Sequence, residues 1–272
     1  MTFTQWGFAK YGALRMLGST IVQLKNWPEL WPRLLLHRTT TEFPALRFRR
    51  GMTLRYRPED QALDQYCEVF RYKLYRQYLR EPRDGAMVDI GANIGAVSLD
   101  WATRLPHVRI HAYEPHPDTF AMLAGNVAAN HLLERVTCNQ QAVGREPGTL
   151  AFYATDVSMS TTAYKDPANN ATPEFTASTV ALDEVIERCA PDGPVGLVKI
   201  DAEGAEAEIL EGARPQTLKA VRQFVIEYHD MLCENARARC ERVLAHAGFH
   251  CIARPTAPQA GLLYALSAAA NR

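Results

Sequence analysis

The chain has 272 residues, 47% hydrophobic and 22% charged, an ordinary globular balance with length enough for a sizeable core. Its 30 Lys and Arg balance 30 Asp and Glu, so no strong overall field recruits a polyanion. No apolar run approaches a membrane span, no short apolar leader opens the chain, and six cysteines form no CxxC pair; a cytosolic protein with reduced thiols is expected.

Residues 1–60 are expected to form an N-terminal extension, and 61–272 the main domain. Phe3, Trp6, Leu14, Leu17, Ile21 and Leu24 recur at helical spacing, which predicts an amphipathic helix over 3–25 ended by Pro28 and Pro32. Residues 1–56 hold nine Lys and Arg against Glu29 and Glu42, and three of the four tryptophans. Such a segment suits either a helical lid on the main domain or a peripheral contact with an anionic membrane surface. Residues 45–57 alternate about Gly51 as a hairpin does, and one helix is expected from about Pro58 to Arg80. Pro82, Asp84 and Gly85 then make a turn.

From residue 86 short apolar runs alternate with helical segments. The runs are Ala86–Ile90, Val108–Tyr113, Val136–Val143, Val195–Ile200 and Phe224–Tyr228, with Phe249–Ala253 and Leu262–Leu266 closing the chain. Continuous apolar runs of this length read as buried parallel strands, and their alternation with helices predicts a doubly wound α/β sheet. The polar stretch 155–177, rich in Ser, Thr, Asn and Pro, is too long for an ordinary connection and is a candidate substrate loop.

Met87-Val88-Asp89-Ile90-Gly91-Ala92-Asn93-Ile94-Gly95 reads as a strand, a tight turn and a helix start. Ligands of open α/β sheets bind beyond the carboxyl ends of the strands. Gly91 and Gly95 would let backbone approach a ligand, and Asn93 tolerates a left-handed backbone best among non-glycine residues. Asp89 would meet a ligand ammonium or order the turn. The second strand ends at Tyr113-Glu114-Pro115, which sets Glu114 where an acid takes both ribose hydroxyls. Gln141 and Ala142, at the end of the third strand, are placed to read an adenine. A dinucleotide fingerprint is GxGxxG, whose second Gly admits the pyrophosphate; Asn93 stands there, and Ala96 takes the last position. GxNxG suits a nucleotide without phosphates, such as S-adenosylmethionine.

The run VDIGANIG (88–95), YEP (113–115), VKIDAEGAE (198–206) and IEYH (226–229), with Ser178–Asp183 ahead of the fourth strand, resembles the FkbM-type methyltransferases. The resemblance covers about residues 65–266. It implies a class I methyltransferase fold: a Rossmann-like, mostly parallel seven-stranded sheet whose final strand is inserted antiparallel. It implies S-adenosylmethionine as cofactor, with Asp89, Gly91, Asn93, Gly95 and Glu114 in contact with it. It also implies a hydroxyl acceptor on a sugar, glycolipid or natural product.

Transfer of a methyl group to an alcohol is helped by a base, and candidates must end strands four and five. These are Asp201, Glu227 and His229, with His229 or Asp201 as base and Glu227 orienting the substrate. Glu203 and Glu206 would serve equally as helix-start acids, and Lys199 would pair with a carboxylate. Asp201, Glu227 and His229 would also permit a divalent metal, but their spacing does not demand one and no metal is assigned. Cys233, Cys240, His246 and Cys251 fit no common zinc template. A nucleic-acid methyltransferase is disfavoured, because Asp201-Ala202-Glu203-Gly204 stands where a D/N-P-P-aromatic run would. An NAD-dependent oxidoreductase is weakened by Asn93. A non-catalytic cofactor-binding scaffold is a third alternative that fold alone leaves open.

Overall fold

The computed structural model describes residues 18–29, 44–57, 60, 62–154, 161–162 and 174–268. Most of the helix expected over 3–25, and 155–160 and 163–173 of the polar stretch, lie outside these residues. Residues 18–23 are helical, and Leu24 bridges to Phe48 beside an antiparallel hairpin of β1 (Ala45–Arg47) and β2 (Thr53–Arg55).

The single helix expected up to Arg80 is instead broken into three pieces. A short α1 (Ala62–Gln65) widens into a π-turn over Tyr66–Arg71, Lys73 turns left-handed at φ 56°, and a 3-10 turn spans Leu74–Arg76. The reason lies in burial. On a straight helix, at roughly 100° per residue, Tyr75 would face opposite Tyr66. The break lets Tyr66, Phe70 and Tyr75 all be buried.

The main sheet has seven strands. In chain order they are β3 (Ala86–Ile90), β4 (Arg109–Tyr113), β5 (Val136–Asn139), β10 (Val195–Ile200), β11 (Gln223–His229), β12 (Phe249–Ala257) and β13 (Ala260–Ser267). Their order is β12-β13-β11-β10-β3-β4-β5. The last strand, β13, runs antiparallel to both its neighbours, whereas β11, β10, β3, β4 and β5 pair in parallel. The remaining strands, β6 (Ala142–Gly144), β7 (Gly148–Ala154), β8 (Thr161–Thr162) and β9 (Phe175–Ala181), form a second sheet of order β6-β9-β7-β8. The run Val136–Val143 is thus two strands in two sheets. Between Thr137 and Gln141 burial is lost before it returns at Ala142, and the polar Asn139-Gln140-Gln141 cannot be sandwiched in a covered sheet.

Helices α2 (Ala96–Arg104), α3 (Pro117–Ala129), α4 (Leu182–Cys189), α5 (Glu206–Gly212), α6 (Pro215–Ala220) and α7 (Ala236–His246) complete the fold. Two cores result, because successive strand residues face opposite ways. Met87, Ile110, Leu197 and Val225 join one; Val88, Ile90, Val198 and Ile226 join the other. Leu24, Leu46, Phe48, Leu54 and Tyr66 belong to the first, so the chain ahead of β3 shares the core of the sheet. Asn126 and Asn130 fasten it there. The Asn126 amide accepts from Arg55 N–H at 2.8 Å and donates to Arg55 O at 2.9 Å, and Asn130 treats Thr53 likewise. All six cysteines are free thiols. Among the described residues no helix is long and apolar enough to cross a membrane.

Candidate active site

The carboxyl ends of β3, β4, β10 and β11 meet at one edge. After β3 the backbone turns through three left-handed residues, Gly91 (φ +70°), Asn93 (φ +50°) and Gly95 (φ +93°). Gly91 and Ala92 N–H both donate to Tyr113 O, at 3.0 and 2.9 Å, which draws the turn over the end of β4. The glycines answer a packing demand. A Cβ on Gly91 would lie 1.8 Å from the carbonyl oxygen of Asp201, and one on Gly95 2.8 Å from the Leu123 side chain. Gly91→Ala is therefore expected to lose on the order of 4 kcal/mol or more of stability, read as a fall in the denaturation midpoint. A loss below about 1 kcal/mol would show that β10 can move away from the turn.

Glu114 holds the turn from below. Its Oε2 accepts from Asn93 N–H at 3.0 Å and its Oε1 from His116 N–H at 2.9 Å. It is 8% exposed. Burial pushes its pKa up to about 7, against the pull of those two backbone donors. Pro115 follows it, half-buried. His116 caps α3 and meets Phe175 of the second sheet edge-on, with ring centroids 4.8 Å apart. The second sheet therefore stands beside Glu114. Gln141 and Ala142 lie past the end of β5, where the chain leaves for that sheet. Gln141 Oε1 accepts from Arg188 at 2.9 Å, and Ala142 is buried against Phe152 and Ala177.

Asp89 is fully buried behind the turn. Its Oδ2 accepts from Ser98 at 2.7 Å, and its Oδ1 lies 3.2 Å from Lys199 Nζ. Lys199 in turn donates to Gly91 O at 2.6 Å and lies 3.4 Å from Asp201 Oδ2. Burial opposes its charge, but Asp89 and Asp201 outweigh burial and hold the ammonium above its ordinary range. Lys199 is paired with carboxylates, as expected, and ties the tips of β3 and β10 together.

The segment 201–206 is tightly wound. Glu203 adopts φ 48° and Gly204 φ 105°. Glu206, fully buried at the start of α5, reaches back so that its Oε1 accepts from Ala202 and Gly204 N–H at 3.2 and 3.0 Å. The same oxygen lies 2.9 Å from His229 Nδ1. An oxygen already accepting twice makes that nitrogen the donor. His229 Nε2 sits 3.9 Å from Glu203 Oε2. Burial alone would strip the imidazole of its proton, but Glu206, Glu203 and Glu227 win and raise its pKa well above the usual value. Asp201, Glu203 and His229 bring three potential metal-donor atoms within 4.8 Å of one another. Glu203, not Glu227, completes that group. With both His229 nitrogens facing carboxylates, the arrangement has the form of an ion-paired imidazolium.

Glu227 is engaged elsewhere. Its Oε2 accepts from the Tyr75 hydroxyl at 2.5 Å. Burial, and then the charge of Asp201, push its pKa up to about 7. Glu68, on the π-turn, is driven the same way by burial and by the charges of Glu227 and Asp201. Neither Tyr75 nor Glu68 is singled out by the sequence.

The sheet order, its antiparallel last strand and the GxNxG turn backed by Glu114 define a class I, Rossmann-like methyltransferase. The chain belongs to the FkbM methyltransferase family, whose methyltransferase FkbM domain model matches residues 89–251. The 31-O-demethyl-FK506 methyltransferase FkbM of Streptomyces tacrolimicus is 29% identical over 242 residues, covering 77% of this chain and 90% of its own. Methyltransferase sdnD of Sordaria araneosa is 28% identical over 211 residues, 68% of this chain and 80% of its own. The hexuronic acid methyltransferase AglP of Haloferax volcanii is 27% identical over 146 residues, 54% of this chain and 56% of its own.

Proposed function

We propose that this methyltransferase uses S-adenosylmethionine and methylates a hydroxyl on a sugar, glycolipid or secondary metabolite. The observation that carries the reading is the presence of two acids on one edge: Glu114, buried at the tip of β4, and Glu227, half-buried at the tip of β11, each with a pKa pushed up to about 7. Two backbone donors leave Glu114 short of full compensation for its burial, which fits a vicinal diol that supplies two more. The GxNxG turn with Glu114, Pro115, Gln141 and Ala142 would hold the nucleoside. The relatives' named reactions, an O-methylation among them, support a hydroxyl acceptor.

Bound adenosylmethionine supplies an electrophilic methyl group on a sulfonium. The tips of β10 and β11 orient the acceptor oxygen for in-line attack, and much of the rate comes from that alignment. As the oxygen gains the methyl group, Glu227 takes the proton that leaves it. His229, one of the two bases expected from the sequence, already keeps a proton between two carboxylates. Asp201 is drawn into the Lys199 pair. Glu227 accepts one hydrogen bond on Oε2 and is the better base of the three.

A thermal melt separates this reading from a dinucleotide enzyme. Adenosylhomocysteine at about 100 times its Kd is expected to add about 2.7 kcal/mol of stability, and NAD none. A rise with NAD alone would overturn the proposal.

A further inference from the structure

Tyr75 precedes the stretch that the family model matches, which begins at residue 89. It is 6% exposed, and its hydroxyl reaches Glu227 across 152 residues of sequence. Its backbone turn is pinned from the far side. Tyr264 of β13 donates to Leu74 O at 2.5 Å, and Tyr78 packs edge-on against the Tyr264 ring at 5.0 Å. Lys199 Nζ lies 5.5 Å from the Tyr75 ring centroid. The turn that carries Tyr75 is therefore tied to β13, and the phenol itself lies against Lys199 of β10 and Glu227 of β11.

We propose that Tyr75 is a positioning residue for proton transfer: it clamps one oxygen of Glu227 and so directs the other toward the acceptor hydroxyl. A buried hydroxyl must be paired, and a phenylalanine would fill the same space without that demand. The phenol keeps its proton, since burial and the charges of Glu227 and Asp201 raise its pKa, and it donates that proton's hydrogen bond to Glu227. Glu227 is also faced by Asp201 just past β10, Glu203 from the following loop, His229 from its own strand, Lys199 from β10, Glu68 from the π-turn and Tyr264 from β13. Tyr75, beside these charges, donates a hydrogen bond of 2.5 Å to it. The inference rests on Glu227 being the base of the proposed reaction.

The test is Tyr75→Phe in the full chain, with glutamate carboxyls labelled with carbon-13 and titrated by NMR; Glu227→Gln identifies the Glu227 signal by its loss. Removing the donor favours the protonated carboxyl, so the Glu227 midpoint is expected to rise by about half a unit or more. Turnover, read as adenosylhomocysteine release with methyl hexosides and simple alcohols as acceptors, is expected to fall about tenfold or more, with adenosylhomocysteine affinity within threefold. A residue that merely fills space would leave both the midpoint and the turnover in place, because phenylalanine fills the same volume. An unmoved midpoint overturns the proposal, and so does a moved midpoint with unchanged turnover. If Glu227→Gln itself turns over at the wild-type rate, the base assignment fails, and that failure is seen separately from the Tyr75 result.

Discussion

Glu227→Gln is expected to lower turnover about 10²–10⁴-fold while leaving adenosylhomocysteine affinity within threefold. Glutamine keeps the shape and the acceptor oxygen for Tyr75 but cannot take a proton. The rate of wild-type enzyme should rise with pH through about 7, because burial and the Asp201 charge lift the Glu227 pKa to that value and only the ionised carboxylate accepts. Below that pH the carboxyl carries its proton and the acceptor keeps its own. His229→Asn is the counter-experiment. Its amide N–H can still reach Glu206 Oε1, which His229 Nδ1 meets at 2.9 Å, so the 201–206 loop keeps its tie. Its turnover is expected to fall by less than about tenfold, short of the loss of a base. If His229→Asn matches or exceeds the loss in Glu227→Gln, the two roles must be exchanged.

The residues that were legible in the sequence are those whose signal is local. β10 is recognisable from Val195–Ile200 alone because every one of its residues is buried, and a doubly covered strand shows as an unbroken apolar run. The acid at the tip of β4 is likewise given by its distance from the glycine turn. The second sheet escaped because β6 and β8 have only three and two residues, too few to show a period. Gly91 was singled out for close approach to a ligand, and the structure adds a packing demand beside that reading. A Cβ there would meet the Asp201 carbonyl, 110 residues later and just past β10, which no local pattern encodes. Tyr75 shows the same limit. Its partner is remote in sequence, and its orientation depends on a π-turn and a left-handed Lys73 that helical periodicity hides. The candidate chemistry at Asp201, Glu227 and His229 was legible as a set of strand tips. Their partners were not, because Tyr75, Glu203 and Glu206, which face Glu227 and His229, come from other parts of the chain.

Glu114→Ala is expected to weaken adenosylhomocysteine binding about 100-fold or more, measured by calorimetry at pH 7.5. Two hydrogen bonds to an ionised acceptor at about 1.5–3 kcal/mol each would be lost, and Asn93 and His116 N–H would lose their common acceptor. The pH dependence separates these effects. The pKa of Glu114 in the free protein is raised to about 7 by burial, so below that value the carboxyl is mostly neutral. A diol donating to the ionised form lowers the pKa in the complex, and binding then releases a proton. Affinity is thus expected to rise with pH between the two values, by at most about tenfold per unit, and to level off above 7. The backbone donors of Asn93 and His116 and the charges of Lys199 and Asp201 are common to both states and set where the rise begins. Glu114→Gln preserves the shape and removes the titration. In that variant the slope should vanish even though Glu227 and Glu203, whose pKa values are about 7 and about 8, still titrate in the same range. A slope that survives in Glu114→Gln would assign the proton to those residues and remove Glu114 from the ribose; a flat wild-type profile would mean that the acid stays neutral and accepts nothing from the nucleoside.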